Sequence, residues 1–382
     1  MPQRSRPTGA YKKKTLARDL DAVIVKGPGL RDLFGEPIDR MAVYAAEEGK
    51  LRPLPFQIDE KDDFDRFILP SGPEGTADGD KGRLDDNDEI ALMAADLGDR
   101  MDAASWPFGL ERAVEIAVSD SESGAEGWCY LVLFDAPPEL SPVDYVSGSF
   151  PAMEIKSKTY VVKFPEERIY FNYFAMNRDG VEYPDNLVDR LENRFKLTFK
   201  FFYIPLPFNT DEEKFRMETV AYKDGPVRLI NRQRIHARMS FGSLFYLPDA
   251  DWQFFGNQTW TESTIENPFS YSEKSLKRVS KADFRLSTDM RKTAAGMKFY
   301  NSENPAGVLI DGKMSDQEKA LDLGTDRWAV LTGEQGSVFI RVEFTDGLTP
   351  DRKLYYIDDG NKAEWHEEER GQYGHSGYEI NL

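Results

Sequence analysis

Apolar and polar residues alternate over several stretches of this chain, and this period of two limits its fold more than any other feature. The pattern is clearest in residues 111–118, 195–203 and 337–344. Because successive side chains of a strand point to opposite faces, each stretch predicts a half-buried β-strand. The last stretch follows residues 326–331 across a Gly-Glu-Gln-Gly turn, which predicts a hairpin.

In the middle stretch the alternation assigns a direction to each side chain. Phe199 and Phe201 should point into the core, while Lys196, Thr198 and Lys200 should face solvent. Replacing Phe199 by Ala should then cost about 3–5 kcal/mol of stability if this side chain is fully buried.

Helical patterns are few and short. Leu187, Leu191 and Phe195 recur every four residues and predict a helix over residues 184–195. A second short helix is indicated by a capping box that runs from Ser315 to Glu318. Strands without long alternating helices, together with an aromatic content of 13%, predict a mainly β fold, an antiparallel β-sandwich or supersandwich with few short helices.

Prolines and glycines in residues 136–149 interrupt strand pairing and mark the best boundary in the chain. We therefore expect a flexible N-terminal arm over residues 1–18, an N-terminal β-sandwich region over residues 19–140 and a larger β-sandwich region over residues 141–382. One continuous β domain is the alternative, because β-sandwiches often exceed the usual domain size.

The charge balance and the single cysteine exclude several classes of protein. Lys and Arg number 49 against 67 Asp and Glu, and a formal charge of −18 repels the phosphates of nucleic acids. Cys129 is the one cysteine, so no intramolecular disulfide forms, and its apolar surroundings in residues 128–134 predict a core position on a buried strand. No apolar run is long enough for a transmembrane helix.

Carboxylates are densest in residues 59–102, where the spacing suggests a cation-binding loop. Asp78, Asp80, Asp85, Asp88 and Glu89 are the candidate ligands, and hard oxygen ligands of this kind suit Ca²⁺. The glycine in this loop comes one residue earlier than in an EF-hand. A solvated acidic turn is therefore the other interpretation.

Catalytic motifs are not recognisable in the sequence, and the catalytic residues stay unknown. The Gly27-Pro28-Gly29 segment lacks the third glycine of a dinucleotide fingerprint and reads as a turn, so no nucleotide cofactor is expected. His236, His366 and His375 are too scattered for a zinc-hydrolase motif.

Aromatic residues are concentrated with amides and carboxylates in the loop-rich residues 248–275. Flat aromatic faces beside hydrogen-bonding groups suit sugar rings, while a loop folded over its own aromatic cluster is the alternative. The candidate ligand-binding residues are Trp252, Asn257, Trp260, Glu262 and Tyr271.

Three segments, residues 53–59, 84–94 and 224–230, resemble uncharacterised secreted bacterial proteins with a galactose-mutarotase-like β-supersandwich. The resemblance implies a location in the cell envelope or outside the cell, and contact with carbohydrate. None of the three histidines matches the histidine motif of the mutarotases, so the resemblance does not extend to sugar epimerisation.

These observations lead us to expect a noncatalytic binding protein of the bacterial envelope or the extracellular space, with a glycan or an envelope protein as partner. A carbohydrate-active hydrolase or lyase is the second hypothesis, and a structural or assembly component is the third. A periplasmic or extracellular location requires that a leader was removed, and otherwise we expect the cytoplasm. The oligomeric state is open.

Overall fold

The computed structural model describes residues 9–77, 79, 82–107, 109–110, 112–150, 152–178, 181–201, 204–238, 244–246, 249–261, 279–324, 327–343, 351–363 and 370–381. Over these residues the protein is mainly β, with antiparallel strand pairs and few short helices, which confirms the predicted fold class. No helix in this part of the chain is both long and apolar enough to cross a membrane.

The strands of the first half of the chain are short. They are β1 (Ala22–Lys26), β2 (Met41–Glu47), β3 (Lys50–Pro53), β4 (Gln57–Asp59), β5 (Glu89–Met93), β6 (Ala113–Ser119), β7 (Glu126–Leu133), β8 (Val146–Ser149), β9 (Glu154–Ser157), β10 (Tyr160–Lys163), β11 (Tyr173–Arg178) and β12 (Val181–Glu182).

The later strands include the longest ones. They are β13 (Val188–Phe201), β14 (Ile204–Thr210), β15 (Phe215–Asp224), β16 (Arg228–Arg238), β17 (Leu244–Tyr246), β18 (Ala250–Phe255), β19 (Thr259–Thr261), β20 (Val279–Met290), β21 (Lys298–Tyr300), β22 (Val308–Leu309), β23 (Trp328–Gly333), β24 (Gly336–Arg341), β25 (Asp351–Ala363) and β26 (Arg370–Asn381).

The helices in the described part of the chain are short, of three to seven residues. The α-helix α1 spans Asp316–Lys319, and 3₁₀ turns occur at Gly27–Leu33, Ile38–Arg40, Ala94–Asp96, Ala103–Ser105, Glu212–Lys214 and Lys292–Ala294. The predicted capping box is confirmed at α1, because the Ser315 hydroxyl accepts from the Glu318 amide and the Glu318 carboxylate accepts from the Ser315 amide.

The strands form sheets of three to five members. Their orders are β1-β5-β4, β3-β2-β7-β6, β12-β11-β10-β9-β8, β14-β13-β20-β26-β25, β22-β21-β23-β24 and β15-β16-β18-β19, with β17 beside β16. The predicted hairpin over residues 326–344 is confirmed, since β23 and β24 pair from Trp328 with Arg341 to Gly333 with Gly336.

The chain forms two compact units. Unit 1 comprises Met1–Gly148, Thr219–Arg232 and Asp251–Glu262, and unit 2 comprises Ser149–Glu218, Gln233–Ala250 and Ser263–Leu382. The boundary that the sequence predicts after residue 140 thus lies near the end of the first segment of unit 1, and two later segments also belong to this unit.

Unit 1 is built around β7, whose residues from Gly127 to Leu133 are all buried. Cys129 and Leu131 pack into one apolar cluster, while Tyr130 and Val132 pack into another on the opposite side. Burial on both faces explains why this strand has a continuous apolar sequence instead of an alternating one. The predicted core position of Cys129 is confirmed.

The segment predicted to be a flexible arm, residues 1–18, makes regular contacts in its described part. Leu16 is buried in the core of unit 1, and its amide donates to the Glu126 carbonyl. Lys12 forms a β-bridge with Arg100. Residues 9–18 therefore contribute backbone contacts and one core side chain to unit 1.

Unit 2 is organised by the five-stranded sheet β14-β13-β20-β26-β25. On one face of this sheet, Leu354, Tyr378 and Ile380 share an apolar cluster with Phe299 and Leu331 of the small sheet β22-β21-β23-β24. The small sheet therefore covers one face of the large sheet. A different set of side chains occupies the other face.

The helix predicted over residues 184–195 is wrong, because β13 begins at Val188 and pairs with β20 from there to Phe199. Leu187, Leu191 and Phe195 are four residues apart, and even offsets fall on one face of a strand as well as on one side of a helix. Long-range pairing with β20 decides between the two periods.

Phe199 and Phe201 belong to β13, so the strand predicted there is confirmed. Their side chains and that of Lys200 lie outside the described residues, and their predicted directions stay a prediction. Lys196 is exposed, as predicted, and Thr198 is half-buried.

Candidate functional site

The predicted aromatic site of unit 1 lies on the hairpin of β18 and β19. Trp252 is opposite Thr261, and Trp260 is opposite Gln253. Because neighbouring residues of a strand point to opposite faces, the two tryptophans lie on different faces of the hairpin and do not form one stacking platform. Trp260 is 38% exposed and packs against Phe255, with ring centroids 4.7 Å apart.

The other predicted ligand-binding residues have different positions. Asn257 is half-buried in the turn that joins β18 and β19, and its Oδ1 has no hydrogen-bond partner among the residues that the structure describes. Glu262 and Tyr271 lie outside the described ranges. The structure therefore brings Asn257 and Trp260 near one hairpin end and places Trp252 on the other face, while the positions predicted for Glu262 and Tyr271 stay a prediction.

Of the predicted calcium ligands, Asp78 and Asp80 lie outside the described residues. Asp85 and Asp88 are joined, since the Asp85 amide donates to Asp88 Oδ2 at 2.9 Å. Burial raises the pKa of Asp88 to about 7. In the described ranges, no three His, Cys, Asp or Glu side chains are grouped so that they could hold a metal ion.

Glu89, the fifth predicted calcium ligand, faces cations of the protein itself. Lys61 Nζ lies 2.7 Å from Glu89 Oε1, and Arg228 Nη2 lies 2.9 Å from Glu89 Oε2. Both carboxylate oxygens are therefore paired inside unit 1, which gives Glu89 a structural role.

Arg228 is the centre of this buried network, with a side chain that is 1% exposed. Its Nε donates to Asp59 Oδ2 at 2.7 Å, and its Nη1 donates to Gln253 Oε1 at 2.8 Å. The ring of Phe67 lies 4.9 Å from its guanidinium carbon. The guanidinium is thus enclosed by acceptors and aromatic surface.

Asp59 has two cationic neighbours, Arg228 and Lys223, and Lys223 Nζ lies 2.8 Å from its Oδ1. Burial alone would raise the pKa of Asp59, but these two charges and a hydrogen bond from Gln57 outweigh it and hold the pKa below the usual value. Asp59 therefore stays ionised in the folded protein.

This network unites the three segments, residues 53–59, 84–94 and 224–230, that were singled out in the sequence. Gln57 and Asp59 come from residues 53–59, Glu89 comes from residues 84–94, and Arg228 comes from residues 224–230. Their shared feature is a buried set of charges within unit 1 that holds distant parts of the chain together. Gln57, Asp59, Glu89 and Arg228 are all buried, which fits a structural role for this network.

A second polar cluster lies in unit 2, on the face of the five-stranded sheet that the small sheet does not cover. We call it the polar face, and it comprises Glu192, Arg194, Arg285, Ser287, Tyr355 and His375. The register places Glu192 opposite Ser287 and Arg194 opposite Arg285. Alternation along β13 and β20 then sends these side chains to one side and the core residues to the other.

Glu192 holds two arginines on the polar face. Arg194 Nη2 donates to Glu192 Oε1 at 2.7 Å, and Arg285 Nη2 donates to Glu192 Oε2 at 3.0 Å. The carboxylate is 4% exposed, whereas the side chains of Arg194 and Arg285 are 10% and 16% exposed. Two positive charges share one buried negative charge.

Arg285 also packs on Tyr355, with its guanidinium carbon 4.4 Å from the ring centre. The two residues belong to β20 and β25, which are separated by β26. Gly377 of β26 pairs with Ser287 on one side and with Tyr355 on the other. A Cβ on Gly377 would clash with the Leu286 carbonyl oxygen and with Ser287 Cα, so glycine permits the close approach of β20 at this point.

His375 contacts the buried side chains of the polar face. Its Nε2 lies 2.8 Å from the Ser287 hydroxyl and 3.4 Å from Glu192 Oε2, while its Nδ1 lies 3.2 Å from Gln372 Oε1. Its ring contacts Tyr355 edge to face at 5.0 Å. His375 is completely buried and Ser287 is 1% exposed, so this pair orients its neighbours and does not present a nucleophile to solvent.

One donor of this cluster is unsatisfied. Within the described part of the chain, Arg285 Nε is buried and has no hydrogen-bond partner. An unpaired donor of a charged group is costly, and an acceptor brought by a ligand or by water can relieve that cost. Arg285, at 16% exposed, is also the more exposed of the two arginines that contact Glu192.

Sequence reasoning missed the polar face, and it also missed an exposed aromatic pair on the small sheet. Trp328 and Phe339 stack with ring centroids 6.2 Å apart, and Phe339 is 59% exposed. The pattern of residues 337–344 contained the necessary signal, because inward Val338 and Ile340 require an outward Phe339.

No family model matches the sequence, and no curated protein shows significant similarity to it. The assignment of a function therefore depends on the geometry of the chain itself.

Proposed function

We propose that this protein binds acidic carbohydrate without catalysing a reaction, and that the polar face of unit 2 is the binding site. The observation that carries the proposal is the arrangement of Arg194 and Arg285 around the single carboxylate of Glu192. Two neighbouring guanidinium groups favour an anionic ligand at this point of a chain whose formal charge is −18.

The chemistry of the guanidinium supports a carboxylate as the group that is recognised. A guanidinium presents planar, paired N–H donors that match a carboxylate, and Glu192 holds both arginines in fixed positions. Since less side-chain entropy is lost when a ligand binds to fixed groups, this arrangement favours affinity.

A uronate residue of a polysaccharide carries such a carboxylate on a sugar ring. The resemblance of residues 53–59, 84–94 and 224–230 to secreted supersandwich proteins supports carbohydrate and a location in the bacterial envelope or outside the cell. We therefore propose an acidic glycan as the ligand, in preference to a small organic acid.

A lyase is the second candidate, and the contact of Tyr355 with His375 favours it over a hydrolase. Elimination from a uronate requires a cation that neutralises the carboxylate, a base and an acid. Arg285 could supply the cation and Tyr355 a proton-transferring group, but His375 is completely buried. This burial is why binding without catalysis is the first choice.

The proposal is tested on an array of neutral and acidic polysaccharides, with and without Ca²⁺. We expect binding to polyuronates and not to neutral glycans, with an affinity that falls as salt is added. Binding to no polysaccharide, or equal binding to neutral ones, would contradict the proposal. Formation of an unsaturated uronate, detected by its ultraviolet absorbance and lost in Tyr355→Phe, would establish the lyase instead.

A further inference from the structure

Unit 2 contains an apolar cavity of about 170 Å³. It lies between the five-stranded sheet and the small sheet, on the side opposite to the polar face, since Leu286 and Tyr378 line it and alternate with Arg285 and His375 along their strands. Its walls include Phe171, Phe174, Leu191, Leu331, Val338 and Ile340. Among the residues that the structure describes, none that line the cavity are charged.

One polar group of this wall is unsatisfied. Ser376 is 1% exposed and lines the cavity, and its hydroxyl has no hydrogen-bond partner in the described part of the chain. Ser376 is opposite Thr288 of β20, and Thr288 also lines the cavity. A buried hydroxyl without a partner is destabilising, and the hydroxyl of a ligand in the cavity would satisfy it.

We propose that this cavity is a binding site for a small neutral aromatic alcohol, with the Ser376 hydroxyl bonded to the hydroxyl of the ligand. An apolar cavity of about 150 Å³ in another protein stays dry and binds benzene, so the volume here suits a single six-membered ring. The absence of charged wall residues excludes an anion or a cation. A ligand hydroxyl can both donate to Ser376 and accept from it.

The cavity and the polar face are separate sites on the two faces of one sheet. A molecule in the cavity would contact Leu286 and Tyr378, whereas an anion on the polar face would contact Arg285. Binding of the aromatic alcohol is therefore independent of the proposed glycan function, and either proposal can fail without the other.

The test uses the full-length protein and three probes, namely phenol, benzene and benzoate. Binding is measured by calorimetry and by the shift of the melting temperature. We expect phenol to bind most tightly, benzene to bind more weakly and benzoate not to bind. If phenol neither binds nor stabilises the protein, the proposal is overturned.

Two substitutions locate the site. Ser376→Ala should weaken phenol binding about three- to tenfold and leave benzene binding unchanged, because one hydrogen bond is lost. The same variant should be no less stable than the parent without ligand, since an unsatisfied hydroxyl is removed. Equal phenol affinities of parent and Ser376→Ala would overturn the assignment of Ser376.

Val338→Phe should fill the cavity and abolish binding of both phenol and benzene. Val330→Phe is the matched control, because Val330 lies on the same small sheet but faces away from the cavity. Its strand neighbours Ala329 and Leu331 are buried and point into the core. We expect this control to bind phenol as the parent does. Undiminished phenol binding to a folded Val338→Phe variant would place the ligand elsewhere and overturn the proposal.

Discussion

Substituting Arg228 by Met tests whether the buried network of unit 1 stabilises the fold. The change removes three hydrogen bonds of the guanidinium, to Asp59, Glu89 and Gln253. Breaking a buried ion pair costs about 3–5 kcal/mol when the remaining charge has no partner. Here each carboxylate keeps a lysine, since Lys223 remains with Asp59 and Lys61 remains with Glu89. We therefore expect the lower end of the range, about 3 kcal/mol.

Urea denaturation followed by tryptophan fluorescence measures this loss. Four of the six tryptophans, at positions 106, 128, 252 and 260, belong to unit 1, so the signal reports mainly on this unit. Arg66→Met is the matched control, because Arg66 pairs with Asp62 on the surface and is 63% exposed. The control should lose well under 1 kcal/mol. A loss below 1 kcal/mol for Arg228→Met would refute the reasoning.

Three further predictions concern unit 1. The pKa of Asp59 is held below its usual 3.8, so the ionised Asp59 stabilises the fold above about pH 4 and loses this effect as the pH falls through its lower folded pKa. The difference in unfolding free energy between the parent and Asp59→Asn should therefore shrink on acidification. A difference that grows would contradict this. Burial raises the pKa of the Cys129 thiol, so iodoacetamide should label it only after unfolding, and rapid labelling of the native protein would show that it is accessible. If the acidic loop binds Ca²⁺, millimolar calcium should raise the melting temperature of the parent but not of Asp80→Ala, whereas identical parent curves in chelator and calcium would leave only an acidic turn.

Local patterns in the sequence predicted the local structure well. The hairpin over residues 326–344 and the cap at Ser315 depend on contacts between residues a few positions apart, which is why both could be read from the sequence. The helix over residues 184–195 was wrong because its four-residue spacing also fits a strand. Only the partner strand β20, some ninety residues later, resolves that ambiguity.

The polar face could not be predicted from the sequence. Glu192, Arg285, Tyr355 and His375 come from four strands, and they meet only because the sheet order is β13-β20-β26-β25. The order of strands that are not consecutive in sequence depends on long-range pairing, for which a single sequence has no local signal. The sequence pattern predicted a helix at Glu192 and Arg194, so it also missed the face of β13 that these two residues share.

We propose that the polar face binds acidic glycan, and calorimetry tests this most directly. A uronate oligosaccharide is titrated into the parent, Arg285→Lys and Arg66→Lys. Arg285→Lys keeps the charge but removes the planar guanidinium, and near-ultraviolet circular dichroism checks that the fold is intact. We predict that Arg285→Lys weakens binding about tenfold or more, whereas Arg66→Lys binds as the parent does. Equal affinities of a folded Arg285→Lys variant and the parent would contradict the proposed site.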